Sequence, residues 1–348
     1  MLMLDWELAW SRALYGPNGF FARGERPDGH FRTSPLVGPA FAEAVVTLLD
    51  RVDHALGRPA RVDFVDVGAG GGELAEEVRE RAPSRLADRV VVTAVDVAPS
   101  PACRVPGVVW RSTPPRRVVG LVVANEWLDA VPCPVLVRRG GRWRRVGVDS
   151  AGRESVLDPV DAAVRAWLGR WWPIGRRARG GAELRAEAGT PRDRAWTSVV
   201  RGVRAGVAVA VDYHHRLADR LAGRVDAGTL AGYLRGRRVA PIPDGSRDLT
   251  AHVALDACAA AVHAGVGGPL RTTLTTQRRV LADLGVVRAA PSPSLAATDP
   301  FGWLDAAARS GGVAELTSPE GLGGFGWLVH EVALPVRVLA SGDRSPVH

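Results

Sequence analysis

Four glycines in five positions, Gly68-Ala69-Gly70-Gly71-Gly72, stand directly after the apolar run VDFVDV (62–67) and before the helical pattern ELAEEVRERA. Strand, glycine loop and helix is the arrangement in which backbone approaches a nucleotide closely and the amides at a helix start face it. A dinucleotide fingerprint, G-x-G-x-x-G, would need a glycine where Glu73 stands. The spacing that fits is D-x-G-x-G-x-G, on Asp66, Gly68, Gly70 and Gly72. An acid at the head of the loop repels a pyrophosphate. S-adenosylmethionine has no phosphate and carries a sulfonium and an ammonium, so Asp66 favours it. Asp96 lies 24 residues beyond Gly72 at the end of the next apolar run, near the roughly 20-residue spacing at which an acid binds ribose hydroxyls. Asn125, Glu126 and Asp129 follow the third run, where open α/β sheets place their ligands. Glu126 and Asp129, three apart, share a helical face. Blander readings stand beside these: a tight turn for the loop, a helix cap for Asn125 and a solvated face for the acidic pair.

The elements that must position these residues alternate. RVDFVDVG, RVVVTAVDVA and VVGLVVANEWLDA read as short buried strands separated by helical patterns, which implies crossover connections and a mostly parallel sheet. GVAVAV (206–211) reads as a further buried strand ending at Asp212, and GFGWLVHEVAL as a last one. Before the sheet, Asp5 to Leu14 reads as a helix and Tyr15 to Pro35 as a glycine- and proline-rich loop. A second helix follows in which Phe41, Val45, Leu48, Leu49 and Val52 recur at spacings of three and four. PVLVRRGGRWRRVGVD predicts a hairpin turning at Arg139-Gly140-Gly141. Trp167, Trp171 and Trp172 at helical spacing predict a packed apolar face.

The chain has 348 residues, enough for one large elaborated domain or two. No apolar run approaches the roughly 20 residues of a membrane span, and a cytoplasmic protein is expected. Cys103, Cys133 and Cys258 lack paired spacing, so no metal or disulfide framework is expected and the thiols should be buried and inert. The formal charge of +8 comes entirely from arginine, since lysine is absent. A nucleic-acid footprint would gather on one face; here only Arg142 to Arg145, Arg176 to Arg179 and Arg235 to Arg238 cluster, so nucleic acid is not the expected partner.

The chain resembles the MidA-like family of S-adenosylmethionine-dependent methyltransferases, which includes a mitochondrial complex I assembly factor. Beside the glycine loop, the resemblance runs through Gly29-His30-Phe31-Arg32-Thr33-Ser34-Pro35, Asn125-Glu126-Trp127-Leu128-Asp129-Ala130-Val131-Pro132 and Val211-Asp212-Tyr213. It continues through Gly228-Thr229-Leu230, Asp248-Leu249-Thr250-Ala251-His252-Val253 and Thr276-Gln277. His30 stands where the family has aspartate, and His214 where it has glycine. The segment from Tyr213 to Thr229 is shortened.

The resemblance implies a class I methyltransferase, a Rossmann-like α/β fold with a mostly parallel sheet flanked by helices. It would carry an N-terminal helical or lid region (1–60), a cofactor-binding core (61–212), an insertion on the substrate side (213–320) and a C-terminal strand completing the core (321–348). It also implies a protein acceptor, with arginine as the known type; the oligomeric state stays open, a homodimer being one option. The expected roles follow. Gly68, Gly70 and Gly72 give close backbone approach, Asp66 meets the cofactor's amino end and Asp96 the ribose. Asn125 and Glu126 border the methyl group, Ser34 and Pro35 shape a lid, and Asp129, Asp212 and His252 attend the acceptor and its proton together with Glu126. A cofactor-binding assembly protein without turnover and a nicotinamide-dependent oxidoreductase are the competing readings.

Overall fold

The computed structural model describes residues 3–25, 33–98, 106–173, 183–287 and 289–340. His30, Cys103 and the Arg176 to Arg179 group lie outside them. Seven strands form the main sheet, in the order Leu270–Thr276, Gly326–Val332, Val203–Asp212, Val118–Asn125, Val62–Val67, Val90–Val95, Val108–Arg111. The last five are mutually parallel, while Gly326–Val332 runs antiparallel to both its neighbours. The expected mostly parallel α/β sheet is therefore present.

Chain order explains where a ligand can enter. From Val62–Val67 the chain builds outward through Val90–Val95 to Val108–Arg111, then returns to the opposite flank with Val118–Asn125. The order reverses between Val62–Val67 and Val118–Asn125, and open α/β sheets bind ligands in the crevice beyond the carboxyl ends at such a switch point. Parallel register puts Asp66 beside Val123 and Asn125 beside Val211, so the acids that end these strands gather along one edge.

These strands read as continuous apolar runs because both faces are covered. On one face, Phe64, Val92, Leu121, Val209 and Trp327 pack with Phe41, Val45, Leu48, Leu49 and Val52 of the helix Pro39–Ala55. Those five helix residues are fully buried, each contributing about 1.5–3 kcal/mol. Pro39 at the first helical position, after Gly38, sets the helix start. On the other face Val65, Val122, Ala208 and Leu328 meet Trp196 and Val200 of Thr190–Arg201 and Cys258 and Val262 of Leu255–Gly265.

Two smaller sheets stand beside the main one. Leu4–Asp5, Arg142–Val148, Val135–Arg139 and Arg185–Glu187 form a path to which Glu154–Pro159 adds through Arg142–Val148. Its hairpin pairs Arg139 with Arg142, leaving Gly140-Gly141 as the two-residue loop, both at positive φ. The third sheet is Arg237–Val239, Ala231–Leu234, Asp248–Thr250. The helix Trp6–Tyr15, capped by Asp5, buries Trp6, Trp10 and Leu14 against the second sheet, and Trp10 Nε1 donates to Leu249 O of the third at 2.9 Å. Trp167, Trp171 and Trp172 are buried around Leu136 and Leu168, as their spacing predicts. Cys133 and Cys258 are buried free thiols. Among the described residues no helix is long and apolar enough to cross a membrane.

Candidate active site

The glycine loop leaves the strand Val62–Val67 with Gly68, Gly70 and Gly72 at φ of 76°, 57° and 93°. These are left-handed values that side chains rarely adopt. A Cβ on Gly68 would lie 2.7 Å from Trp127 Cδ1, so that glycine is needed for loop packing against the segment after Asn125. A Cβ on Gly70 would meet nothing within 4 Å. Gly70 therefore answers to backbone conformation and to the open space beside it. Asp96 holds this geometry: its Oδ2 accepts from Gly70 N at 2.9 Å and its Oδ1 from Ala98 N at 2.8 Å. A carboxylate has about four lone-pair sites, the acceptor type that a ribose diol calls for.

A cavity enclosing about 70 Å³ lies over the switch point, lined by Asp66, Gly68 to Gly71, Glu73, Asn125, Glu126, Asp129 and Asp248, with Phe21, Thr33, Pro35 and Leu36 across from them. That is well below the roughly 300 Å³ at which ligand sites begin.

Glu126 is the best-positioned side chain of this cavity. Its φ of 50° is a left-handed conformation of the kind that costs about 1–3 kcal/mol and collects at functional sites. The backbone is pinned by Glu126 N donating to Val211 O at 2.8 Å. Its Oε1 accepts from Asn125 Nδ2 at 3.0 Å and from Ser34 N at 3.3 Å, and its Oε2 from Tyr213 OH at 3.3 Å. Ser34 Oγ in turn donates to Gln277 Oε1 at 3.2 Å. Two distant segments, at Ser34 and Tyr213, therefore converge with Asn125 on one carboxyl, and Gln277 braces the first of them through Ser34.

The site is strongly acidic and desolvated. Burial, then Asp129, pushes the Glu126 carboxyl up to about 8. Burial, then Glu73 and Asp96, pushes Asp66 up to about 8. Asp248 is likewise raised to about 8 by burial and by Asp129. Burial also raises Asp129 and Asp212. Asn125 Oδ1, Asp129 Oδ1 and Asp248 Oδ1 are buried acceptors with no hydrogen-bond partner among the described residues. Among the described residues no arginine lines this cavity, although the chain carries 45 basic residues. Such a lining suits a ligand that brings positive charge and N–H donors.

These raised carboxyls set a stability–pH relation. They stay protonated in the folded, ligand-free chain well above the usual carboxylate range but ionise in the unfolded chain near pH 4, so the folded state holds more protons between those limits. Their contribution is complete below about pH 4 and is lost as pH rises through about 8. The thermal midpoint of the ligand-free protein should therefore fall from pH 6 to pH 9. Scanning calorimetry should also show a cationic ligand offsetting more of that fall than its neutral analogue. A midpoint that rises over this window would contradict the burial of these acids.

The expected site residues divide by location. Asp66, Gly68, Gly70, Asn125, Glu126, Asp129 and Pro35 line the cavity. Asp96 and Ser34 touch its lining through hydrogen bonds. Gly72 opens the helix Glu73–Arg81. Asp212 lies beneath: its Oδ2 accepts from Leu128 N and Asp129 N at 3.0 and 3.2 Å, fixing the turn that carries Asp129. His252 opens onto a neighbouring groove with Tyr213, not onto this cavity. Sequence reasoning gave no site role to Asp248, Tyr213, Gln277 and Phe21. It also missed Arg192, whose buried guanidinium donates to the carbonyls of Asp129, Val131 and His252 and clamps the loops around the cavity.

The group implied by the loop can be tested against this geometry. A dinucleotide pyrophosphate would meet the start of the helix Glu73–Arg81, where Glu73 itself lines the cavity and Glu76 follows in the first turn. Those acids, with Asp66, oppose an anion. S-adenosylmethionine, which carries positive charge and no phosphate, suits this acid-lined crevice beside the glycine loop.

Residues 42–269 match the profile of a family described as "putative S-adenosyl-L-methionine-dependent methyltransferase". No curated protein matches the chain. Two crystal structures from Burkholderia thailandensis superpose with a TM-score of 0.80 at 24% identity, over 99% of this chain. One, of a superfamily member bound to S-adenosyl-homocysteine, is covered over 92% of its length; the other, a native structure of an uncharacterized protein of the same superfamily, over 91%. At that identity the likeness establishes the fold.

Proposed function

The chain belongs to this family of S-adenosyl-L-methionine-dependent methyltransferases, and from that premise we propose that its acceptor is a nitrogen on a protein side chain, an arginine guanidinium in the first place. The observation that carries the acceptor is the acid-lined cavity, which no arginine lines among the described residues, in an arginine-rich chain. Glu126, Asp129 and Asp248 together offer carboxyl oxygens to a cation with several N–H donors. A guanidinium has five N–H groups in a planar fork suited to carboxylates.

When bound, S-adenosyl-L-methionine supplies a methyl group activated by its sulfonium, with the leaving group built in. The protein has two tasks left. The first is orientation, which can supply roughly 7–11 kcal/mol of the barrier. Asp96 and the glycine loop hold the cofactor end, and Asp129 and Asp248 hold the acceptor. The second is the proton, since the acceptor nitrogen must release one as its new bond to carbon forms. Glu126 takes it. In the ligand-free cavity its carboxyl sits near 8 because it is desolvated among other acids, and positive charge brought in by ligands lowers that value toward the ionised form. Glu126 thus becomes a base only when the site is filled.

The test is transfer of a labelled methyl group into proteins of the producing cell, followed by mass spectrometry of the modified residue. A methylated arginine is the expected outcome. Label appearing only in small molecules or on carboxyl oxygens would overturn the acceptor class. Binding of cofactor with no transfer to any acceptor would favour the assembly-protein reading.

A further inference from the structure

Gln277 opens the helix Gln277–Asp283, fully buried and outside the lining of the cavity. A buried amide has to find partners for its two donors and its acceptor. Here the partners also fix which way the amide points. Trp327 Nε1, which can only donate, lies 3.4 Å from Gln277 Oε1, and the Leu316 carbonyl, which can only accept, lies 3.1 Å from Nε2. Turning the amide over would set donor against donor and acceptor against acceptor. Oε1 therefore faces Ser34, and the Ser34 hydroxyl, 3.2 Å away, has to donate to it.

Both anchors of the amide are firmly held. Trp327 is fully buried in the strand Gly326–Val332, paired with Val211 on one side and Thr275 on the other. Leu316 is fully buried in the last turn of the helix Pro300–Thr317, where carbonyls lack a partner within the helix. Through one side chain the C-terminal strand and the last long helix thus reach Ser34. Ser34 is fully buried and starts the single turn Ser34–Leu36. Its hydroxyl faces Gln277 while its N–H faces Glu126 Oε1 at 3.3 Å, and its neighbours Thr33, Pro35 and Leu36 line the cavity. Two bonds from one residue, in different directions, fix the turn as neither does alone.

We infer that Gln277 is a positioning residue for methyl transfer: by holding the Ser34 hydroxyl it keeps Ser34 N–H aimed at Glu126 Oε1, and so steadies the carboxyl that receives the proton. This rests on Glu126 as the proton acceptor. An N–H donated to a carboxyl favours its ionised form. Loosening Ser34 therefore raises the pH at which Glu126 gives up its proton. The bonds from Asn125 and Tyr213 stay in place, as do Asp129 and Asp212, the acids that repel it.

The experiment follows Glu126 itself in the full ligand-free chain, by carbon NMR of protein isotope-labelled at its glutamate carboxyls, with the Glu126 resonance identified as the one missing from Glu126→Gln. Ser34→Ala removes the hydroxyl and keeps the backbone N–H; Gln277→Met keeps a similar volume and has no amide. Each should raise the Glu126 midpoint by about half a pH unit, and the double variant should go no further than the larger single change, because both break one link. Half a unit is about a threefold loss of ionised Glu126 below its midpoint. Single-turnover transfer from S-adenosylmethionine to a glycine–arginine octapeptide, measured on the rising limb of the pH profile, should fall by about that factor, with S-adenosyl-homocysteine affinity within about twofold of wild type. Gln277→Met also strips Trp327 Nε1 and Leu316 O of their partner; should that variant not fold, Ser34→Ala carries the test. An unmoved midpoint in Ser34→Ala, or single shifts that add in the double variant, would overturn the positioning role, even where the rate falls equally at every pH. A midpoint that moves while the rate does not would keep the hold on Glu126 and remove Glu126 from the proton step. No transfer to the peptide by wild type would remove the arginine acceptor and leave the titration to decide.

Discussion

Glu126→Gln will lower single-turnover methyl transfer by about 10²–10⁴-fold, the usual span for losing a positioned proton acceptor, while S-adenosyl-homocysteine affinity stays within about threefold, a change of under 1 kcal/mol. Glutamine keeps the size of the side chain and can still accept from Asn125 Nδ2, Ser34 N or Tyr213 OH, so the convergence of segments survives. What it loses is the capacity to hold a proton. The rate of the wild type should rise with pH as Glu126 ionises, and the variant should lose that limb of the profile. A variant with full rate, or one whose loss appears entirely as weaker cofactor binding, would remove Glu126 from the proton step. Asp129 and Asp248 would then be the next carboxyls to test.

Asp96→Ala will weaken S-adenosyl-homocysteine binding by about 100-fold, equivalent to about 2.7 kcal/mol. Two effects add. The ribose loses its acceptor, and Gly70 N and Ala98 N lose the carboxylate that fixes the loop. Asp96→Asn, which retains one acceptor oxygen, should lose about tenfold, since a hydrogen bond to a charged group is worth roughly 1.5–3 kcal/mol. The neutral sulfur of S-adenosyl-homocysteine keeps this measurement apart from the charge of the acid-lined end. Equal affinity in wild type and Asp96→Ala by calorimetry would refute the ribose assignment.

Much of the main sheet was legible in the sequence because its central strands are buried on both faces. Val62–Val67, Val90–Val95, Val118–Asn125 and Val203–Asp212 are apolar throughout most of their length, and the acid or amide at or near each carboxyl end marks the ligand edge. Leu270–Thr276 gave no such signal. It is an edge strand with four threonines, mostly half-buried, so neither a continuous apolar run nor a clean alternation appears. Asp66 and Glu126 could be read from local spacing, since each follows or ends its strand in a recognisable motif. Asp248 and Tyr213 stood within segments that resemble the family, but their roles depend on tertiary packing that brings residues more than 80 positions apart to one carboxyl and one cavity. Arg192 was illegible for the same reason: in TPRDRAW it reads as one more solvated arginine, and only the fold turns it inward onto three carbonyls.

Strand Val203–Asp212 ends with Asp212 beneath the Asp129 turn, and the next residue, Tyr213, donates its hydroxyl to Glu126, so one strand terminus braces both acids of the cavity.

The claim on which the account rests is that the crevice between Gly68–Gly71 and Asn125–Glu126 holds S-adenosylmethionine, and isothermal titration tests it most directly. Wild-type protein titrated with S-adenosylmethionine and S-adenosyl-homocysteine should bind both, Asp96→Ala should bind each far more weakly, and NAD should give no heat of binding. Tight binding of NAD with no response to either sulfur ligand, or binding of those ligands undisturbed by Asp96→Ala, would contradict the assignment of this crevice.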